Sequence, residues 1–277
     1  MIFASDLDQT LIYSRKSFRL DAGEAQPEIT LIETLDGREI SFMSNKAIAL
    51  LKELNNKILF VPVTTRTVEQ FRRISIFQNE IIPPLAVTSN GGNIIENGEI
   101  DSEWNRLIVK KITETSLAKD ELLQNFNTLA NEEWVLSQRT ADDLFHYCII
   151  HRDIAPLDEL ADFRKEIERQ GWKMSLQGRK LYFVPEAVNK WDAVAYIKEK
   201  LGKTFVAAAG DSLLDLCMLE VADFAIAPSH GELTEQAVAL KEPLKRTNQK
   251  GIRAAEDILC EVLAVHERKF GLQSQSR

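Results

Sequence analysis

The first ten residues, MIFASDLDQT (residues 1–10), decide how the rest of the chain is read. Ile2, Phe3 and Ala4 are apolar in succession, and the run ends at Ser5 against two aspartates, Asp6 and Asp8. A short apolar run closed by polar residues marks a strand buried on both faces, as in parallel sheets. If the strand continues, residues two apart point the same way, so Asp6 and Asp8 face one crevice. Two carboxylates that close repel unless a cation or a shared proton intervenes. A hard dication such as Mg²⁺, which takes oxygen ligands, relieves that repulsion. Taken alone, the same residues also suit a solvated acidic turn.

Outward from this stretch the same kind of junction recurs. ILFVPV (58–63) is a second apolar strand running into Thr64-Thr65-Arg66. LAVT (85–88) is a third, closed by Ser89-Asn90-Gly91-Gly92. FVAAA (205–209) runs into Gly210-Asp211-Ser212-Leu213-Leu214-Asp215. Helices are predicted over 45–54 with Ser44 as N-cap, over 68–77, 190–200, 213–220 and 233–240, and over 251–268 before a polar tail, 271–277. Asp36-Gly37, between alternating segments, signals a hairpin across 30–42. Residues 93–185 break the alternation, with strands at 145–150, 172–176 and 181–184 and helical stretches near 113–130 and 157–170. The pattern is an α/β chain: βα units at 1–88 and 186–277 forming one parallel sheet, with an α+β insert at 89–185. Ligands of such sheets bind at the carboxyl ends of the strands, where the acids lie.

Each junction has an ordinary reading beside its chemical one. Asp211 or Ser212 suits a helix N-cap, with Asp215 placed on the same helical face near the dipole. Thr64, at a strand end before free backbone amides, suits a phosphate oxygen or a simple N-cap. Lys190, after Asn189 at a helix start, works against the dipole unless something anionic holds it, and otherwise is a surface lysine.

Together these residues resemble the haloacid dehalogenase (HAD) superfamily of phosphohydrolases. D-x-D-x-T is matched by Asp6, Asp8 and Thr10, the strand ending in Thr by Thr64, the lysine by Lys190, and G-D-x-x-x-D by Gly210, Asp211 and Asp215. The insert between Thr64 and Lys190, with Ser89-Asn90-Gly91 after the third strand, is similar to the type II cap of the Cof-like, sucrose-phosphate-phosphatase-like branch. Two positions depart from that branch: Thr65 stands where a glycine is frequent, and Leu214 where an asparagine is. The resemblance implies a Rossmann-like core with an inserted cap and a Mg²⁺-dependent phosphatase acting on a small phosphorylated metabolite, with sugar phosphates foremost. It implies Asp6 as nucleophile forming an aspartyl-phosphate, Asp8 as general acid and base, Thr64 and Lys190 holding phosphoryl oxygens, and Asp6, Asp8 and Asp211 holding the metal. Asp215, Thr10 and Ser212 would support these groups, the hairpin at Asp36-Gly37 would help cover the site, and Arg66 and Asn90 would meet the substrate. Arg139, Arg152, Arg179 and Lys180 are further candidates in the insert. A phosphomutase, or a module that only binds phosphorylated metabolites, is the alternative.

Composition bounds the rest. The chain has 277 residues, 44% hydrophobic and 27% charged, with a net charge of −8, which suits a globular fold and not a disordered or fibrous one. No dense basic run offers a nucleic-acid surface, and no stretch approaches the roughly 18 apolar residues of a membrane span. Three scattered cysteines and no secretory pattern fit a reducing cytoplasm, and a monomer or homodimer is expected. His146 and His151 flank an apolar run as structural histidines, and Trp134, Trp172 and Trp191 are expected in the insert core or at its hinge.

Overall fold

The computed structural model describes residues 1–21, 23–235 and 244–271. Its centre is the strand Ile2–Ser5 (β1), buried along its whole length. The hairpin strands Ile29–Leu35 (β2) and Arg38–Ser44 (β3) follow, then helix Asn45–Asn55 (α1) and strand Leu59–Pro62 (β4). Asp36 and Gly37 turn the hairpin at φ 50° and 72°, as the Asp-Gly signal requires. Ser44 caps α1 by accepting from Ala47 N at 3.1 Å.

The helix expected over 68–77 is two pieces, Val68–Arg72 (α2) and Ile76–Asn79 (α3). The Ile32 carbonyl of β2 takes both the N–H and the hydroxyl of Ser75, at 2.8 and 3.0 Å, and that capture breaks the helix. Strand Leu85–Thr88 (β5) then pairs with Asn93–Glu96 (β6), which pairs with Glu99–Ile100 (β7). The helical stretch near 113–130 is likewise two helices, Ser102–Thr115 (α4) and Lys119–Asn127 (α5). Ser116 between them is extended, and Leu117 donates its N–H to Gln170 at 2.8 Å. The insert continues through Val135–Ala141 (β8), which the sequence did not suggest, and Phe145–Ile150 (β9), Leu157–Glu168 (α6), Trp172–Gln177 (β10) and Lys180–Pro185 (β11). Helix Lys190–Lys200 (α7), strand Val206–Ala209 (β12), helix Leu216–Leu219 (α8) after a 3₁₀ turn at Leu213–Asp215, and strand Phe224–Ala227 (β13) restore the alternation. Glu232–Glu235 is helical (α9), while 236–240 of the helix expected there and 272–277 of the tail lie outside the described residues. Lys245–Arg246 (β14) and Ala254–Phe270 (α10) complete the chain, α10 entered through a 3₁₀ turn at Gly251–Arg253.

Five strands form a parallel sheet in the order β14-β13-β12-β1-β4, and a parallel bridge between Val63 and Val87 carries it on to β5. Successive residues of β1 feed opposite layers. Phe3 packs with Phe60 and Ala207 against α1 and α10, whereas Ile2 and Ala4 pack with Val61 and Ala208 against α7. Trp104 and Ile108 of α4 and Ile94 of β6 join that second layer, so the chain from 93 to about 112 is packed with the parallel sheet. A separate antiparallel sheet, β10-β11-β9-β8, buries Cys148, Leu181 and Phe183 against Phe126 and Phe163 of α5 and α6. Trp134 and Trp172 belong to this layer, and Trp191 packs at the edge of the parallel-sheet core. The opposite face of the antiparallel sheet carries Tyr147, Ile149, Lys180 and Tyr182 and looks across a cleft toward the ends of β1 and β12. The three cysteines are free thiols. Among the described residues, no helix is long and apolar enough to cross a membrane.

Candidate active site

The first residue beyond β1 is Asp6, held to the neighbouring strand by its N–H donating to Ala209 O at 2.9 Å. Its carboxylate accepts from Lys190 Nζ at 2.6 Å through Oδ1 and from the Thr10 hydroxyl at 3.3 Å through Oδ2. Lys190 is fully buried, and its ammonium also donates to Asp215 Oδ1 at 2.6 Å. The dipole argument thus resolves in favour of an anionic partner, in fact two. Asp215 spends its other oxygen on the N–H groups of Asp211 and Ser212, at 3.1 and 2.9 Å, and on the Ser212 hydroxyl at 2.8 Å. Carboxylate oxygens of Asp6, Asp211 and Asp215 lie within 4.8 Å of one another, from opposite ends of the sequence. Gly210 permits this by having no side chain, since a Cβ there would lie 2.4 Å from Asp215.

Three carboxylates and one ammonium leave the cluster short of positive charge. Burial pushes the Asp6 carboxyl up to about 7 even against Lys190, and burial together with Asp6 and Asp215 lifts Asp211 well above the ordinary range. Burial works against the charged Lys190, but Asp215 and Asp6 outweigh it and keep the amine protonated. A divalent cation with a preference for oxygen would supply the missing charge, and these donors suit Mg²⁺.

Asp8 lines the same cleft as Asp6. Arg66 grips it with Nε and Nη2 at 2.7 and 2.8 Å, and Nη1 of the same guanidinium reaches Glu33 of β2 at 2.7 Å. Desolvation raises the Asp8 carboxyl, but the charge and hydrogen bonds of Arg66 prevail and hold it below the usual range. The cleft over these groups encloses about 1070 Å³, bounded by the β1 and β12 loops on one side and the antiparallel sheet on the other.

The model of the sucrose-6F-phosphate phosphohydrolase family matches residues 1–257. The chain belongs to this family. It is a phosphatase, and its parallel-sheet core beside a separate antiparallel sheet is the fold of the HAD hydrolases. Among solved structures it is similar to the sucrose-phosphatase from Synechocystis sp. PCC6803, solved with sucrose and phosphate (15% identity, TM-score 0.69, covering 95% of this chain and 97% of that one). It is also similar to a haloacid dehalogenase-like hydrolase from Bacillus subtilis (15%, 0.56, 98% and 92%) and to the phosphatase BT1666 of the same superfamily from Bacteroides thetaiotaomicron (12%, 0.54, 95% and 94%). At such identities the likeness is one of fold. No curated protein matches the chain in sequence.

In this sucrose-phosphatase-family chain, Asp6, Asp211, Asp215, Lys190, Thr10 and Ser212 converge. Thr64 is fully buried, its hydroxyl accepting from Arg66 N at 3.1 Å, and it is Thr65 that lines the cleft. Asn90 does not line the cleft; its amide donates to Val188 O at 3.1 Å, bracing the loop that delivers Lys190. Arg66 lines the cleft but spends its donors on Asp8, Glu33 and Ser41. Arg152, Arg179 and Lys180 line the cleft and Arg139 does not, while Ile40 and Ser41 bring the hairpin to its edge. His146 is buried with Nε2 beside Gln138 Oε1 at 3.1 Å, and His151 is exposed. Sequence reading missed Glu33, Gly231 and His230. Gly231 has Asp211 pressed against it, a Cβ there lying 2.8 Å from Oδ2, and His230 Nε2 donates to Gln9 O at 2.9 Å, steadying the turn beyond Asp8. Nothing near these three in sequence marks them, because their partners come from other loops and elements: Arg66 for Glu33, Asp211 for Gly231 and Gln9 for His230.

Proposed function

We propose that this phosphatase hydrolyses a small sugar phosphate with Mg²⁺ bound, through a covalent phosphate on Asp6. The observation that carries this reading is the placing of Asp6 at the end of the central strand, held by Lys190 at 2.6 Å and facing Asp211 across the acidic cluster. The family's description supports a sugar phosphate as substrate class. Asp6 and Asp211, with the backbone carbonyl of Asp8, are the groups that would hold the metal. When bound, Mg²⁺ offsets the negative charge that otherwise keeps an anionic carboxylate from an anionic phosphate.

In the first step a carboxylate oxygen of Asp6 bonds to phosphorus while the bond to the leaving alkoxide breaks, and Asp8 gives that oxygen a proton. In the second step Asp8 takes a proton from water, whose oxygen displaces Asp6 and releases phosphate. Arg66 fits Asp8 for the base half of this cycle, since it stabilises the carboxylate. The acid half requires Arg66 to release the side chain first. Lys190 fixes Asp6 and brings positive charge beside the transferring group, and Asp215 fixes Lys190. Thr65 offers its hydroxyl and amide to a phosphoryl oxygen, and the buried Thr64 holds that turn in place through its bonds to Val87 O and Arg66 N. Ser212 and Thr10 support Asp215 and Asp6.

We further assign residues 1–88 and 186–277 to the core domain and 89–185 to the insert. Within the insert, the layer built on Phe126, Phe163 and Phe183 has a core of its own and acts as the cap, while Ile94, Trp104 and Ile108 pack with the core, as do Phe145 and Tyr182 from the near face of the antiparallel sheet. Phosphate release from a panel of sugar phosphates and p-nitrophenyl phosphate, with and without Mg²⁺, tests the reading. Metal-dependent hydrolysis that survives in Asp6→Asn would refute it.

A further inference from the structure

The wall of the cleft opposite Asp6 has a charge that sugar-phosphate hydrolysis alone does not require. In β11, Lys180 and Tyr182 stand on the same face, opposite Ile149 and Tyr147 of β9, and that face looks into the cleft. Arg152, just beyond β9, and Arg179, in the turn before β11, stand at its edge. Every charged side chain that this wall contributes is a cation, within a chain of net charge −8. Among the described residues, Arg152, Arg179 and Lys180 have no carboxylate at ion-pair distance. On the other side of the cleft both arginines are paired, Arg66 with Asp8 and Glu33 and Arg19 with Glu235, and Lys16 is the one lining cation there, among the described residues, without an ion pair.

Lys180 lies beside the buried Tyr182 hydroxyl, which also approaches Thr65, next to the Asp8–Arg66 pair. The unpaired charges therefore extend outward from the reaction centre along the cap. A neutral sugar gives them nothing to neutralise. Two guanidiniums suit a carboxylate or a phosphate, which they hold through paired N–H donors. The cleft volume, about 1070 Å³, accommodates a substrate extending from Asp6 to this wall.

We propose that the substrate carries a second anionic group, a carboxylate or a second phosphate, distant from the phosphate that is removed, and that Arg152, Arg179 and Lys180 receive it. The proposal rests on the phosphatase reading above and narrows its substrate class to phosphorylated sugar acids and sugar bisphosphates.

Two matched pairs test it: 6-phosphogluconate against glucose 6-phosphate for the carboxylate, and fructose 1,6-bisphosphate against fructose 6-phosphate for the second phosphate. At least one charged member is expected to show kcat/KM about 10-fold or more above its neutral partner, the effect of a single well-placed charged hydrogen bond. Arg152→Ala/Arg179→Ala and Lys180→Met should each shrink that ratio. Arg164→Ala, which removes a cation from the outer helix α6, should leave it unchanged. Phosphate release with no preference in either pair, or a ratio untouched by the cleft variants, overturns the anion site and leaves the phosphatase reading standing. Calorimetric titration of Asp6→Asn with the same four compounds separates the two failures. If nothing is hydrolysed yet a charged member binds more tightly, the anion site holds and the hydrolytic reading falls; equal binding with no hydrolysis overturns both.

Discussion

The guanidinium of Arg66 binds the carboxylate of Asp8 at both oxygens, 2.7 Å from Oδ2 and 2.8 Å from Oδ1. The same guanidinium neutralises Glu33, whose side chain is 1% exposed. Deleting one partner of a buried pair costs more than the pair contributes, because the other charge stays buried. Arg66→Ala leaves Glu33 with only the Ser41 hydroxyl and a 3.4 Å contact from Arg73. It is expected to lower the unfolding free energy by about 3–5 kcal/mol. Arg66→Ala/Glu33→Gln removes the stranded charge and should recover much of that loss in urea unfolding. Equal losses for the single and double variants would show that Glu33 does not depend on Arg66.

Asp6 connects catalysis to stability in the opposite sense. Its carboxyl is pushed up to about 7, so the fold favours the protonated form. That contribution is full below the ordinary carboxyl pKa, near about 4, and is lost as pH rises through the folded value. Asparagine imitates the protonated side chain at every pH. Without Mg²⁺, Asp6→Asn should therefore gain stability relative to the parent as pH rises from about 4 to 7, while its turnover falls by at least about 10⁴-fold. A pH-independent stability difference would contradict the burial argument.

Magnesium is expected to reverse that pattern. Protons on Asp6 and Asp211 compete with the metal, so the rise in melting temperature on adding Mg²⁺ should be larger at pH 8 than at pH 5. At a hundredfold excess over Kd the stabilisation is about 2.7 kcal/mol. Asp211→Asn should abolish it, and a shift of equal size at both pH values would place the ion elsewhere.

Gly210→Ala tests the close approach at the other end of the cluster. An added methyl would lie 2.4 Å from Asp215 Cβ and Cγ, and Asp215 holds both Lys190 and the turn at Ser212. Overpacking of this kind costs about 1–3 kcal/mol, and here it also displaces the carboxylate that fixes the lysine. Turnover should fall by more than the loss of folded protein accounts for, as measured by kcat together with thermal melts. Unchanged kcat would mean that Asp215 does not position Lys190 for the reaction.

The acids of the cluster were legible because each ends an apolar strand or opens a helix, and the parallel sheet brings such ends together. Lys190 was legible as an oddity, a cation set against a helix dipole, and its two carboxylate partners explain it. Glu33 was invisible, since in β2 it reads as one more polar residue of a half-exposed hairpin; only Arg66, from a different βα unit, makes it buried and necessary. β8 was missed because Ser137-Gln138-Arg139-Thr140 is an unbroken polar run, mostly exposed, with no apolar alternation to mark a strand. The β6–β7 hairpin was missed although Asn97-Gly98 carries the positive-φ turn, at 50° and 88°, that identified the hairpin at Asp36-Gly37. The insert is read from its loss of alternation, which gives no information on packing, so the burial of Trp104 of α4 against the parallel-sheet core had no signal in the sequence.

His230 provides a final test, of the turn that carries Asp8. The ring is buried, with Nε2 donating to Gln9 O at 2.9 Å and Nδ1 accepting from Gly251 N at 3.0 Å, so it is neutral with its proton on Nε2. Gln9 itself sits at φ 60°, a left-handed conformation that a non-glycine residue holds only when its surroundings fix it. Burial pushes the His230 pKa down to about 4. Because the folded value lies below the ordinary one, the stabilisation is complete above about pH 6.5 and is lost as pH falls toward the folded value. His230→Gln keeps a polar side chain without this titration. The difference in unfolding free energy between parent and variant should be largest near neutrality and shrink toward pH 4. His146, whose pKa is also lowered to about 4, is common to both proteins and cancels from the difference. A difference that stays constant across this range would mean that protonation of His230 does not break its contact with Gly251, and that the turn beyond Asp8 is held by the Tyr13 hydroxyl on Gln9 O and Thr10 O instead.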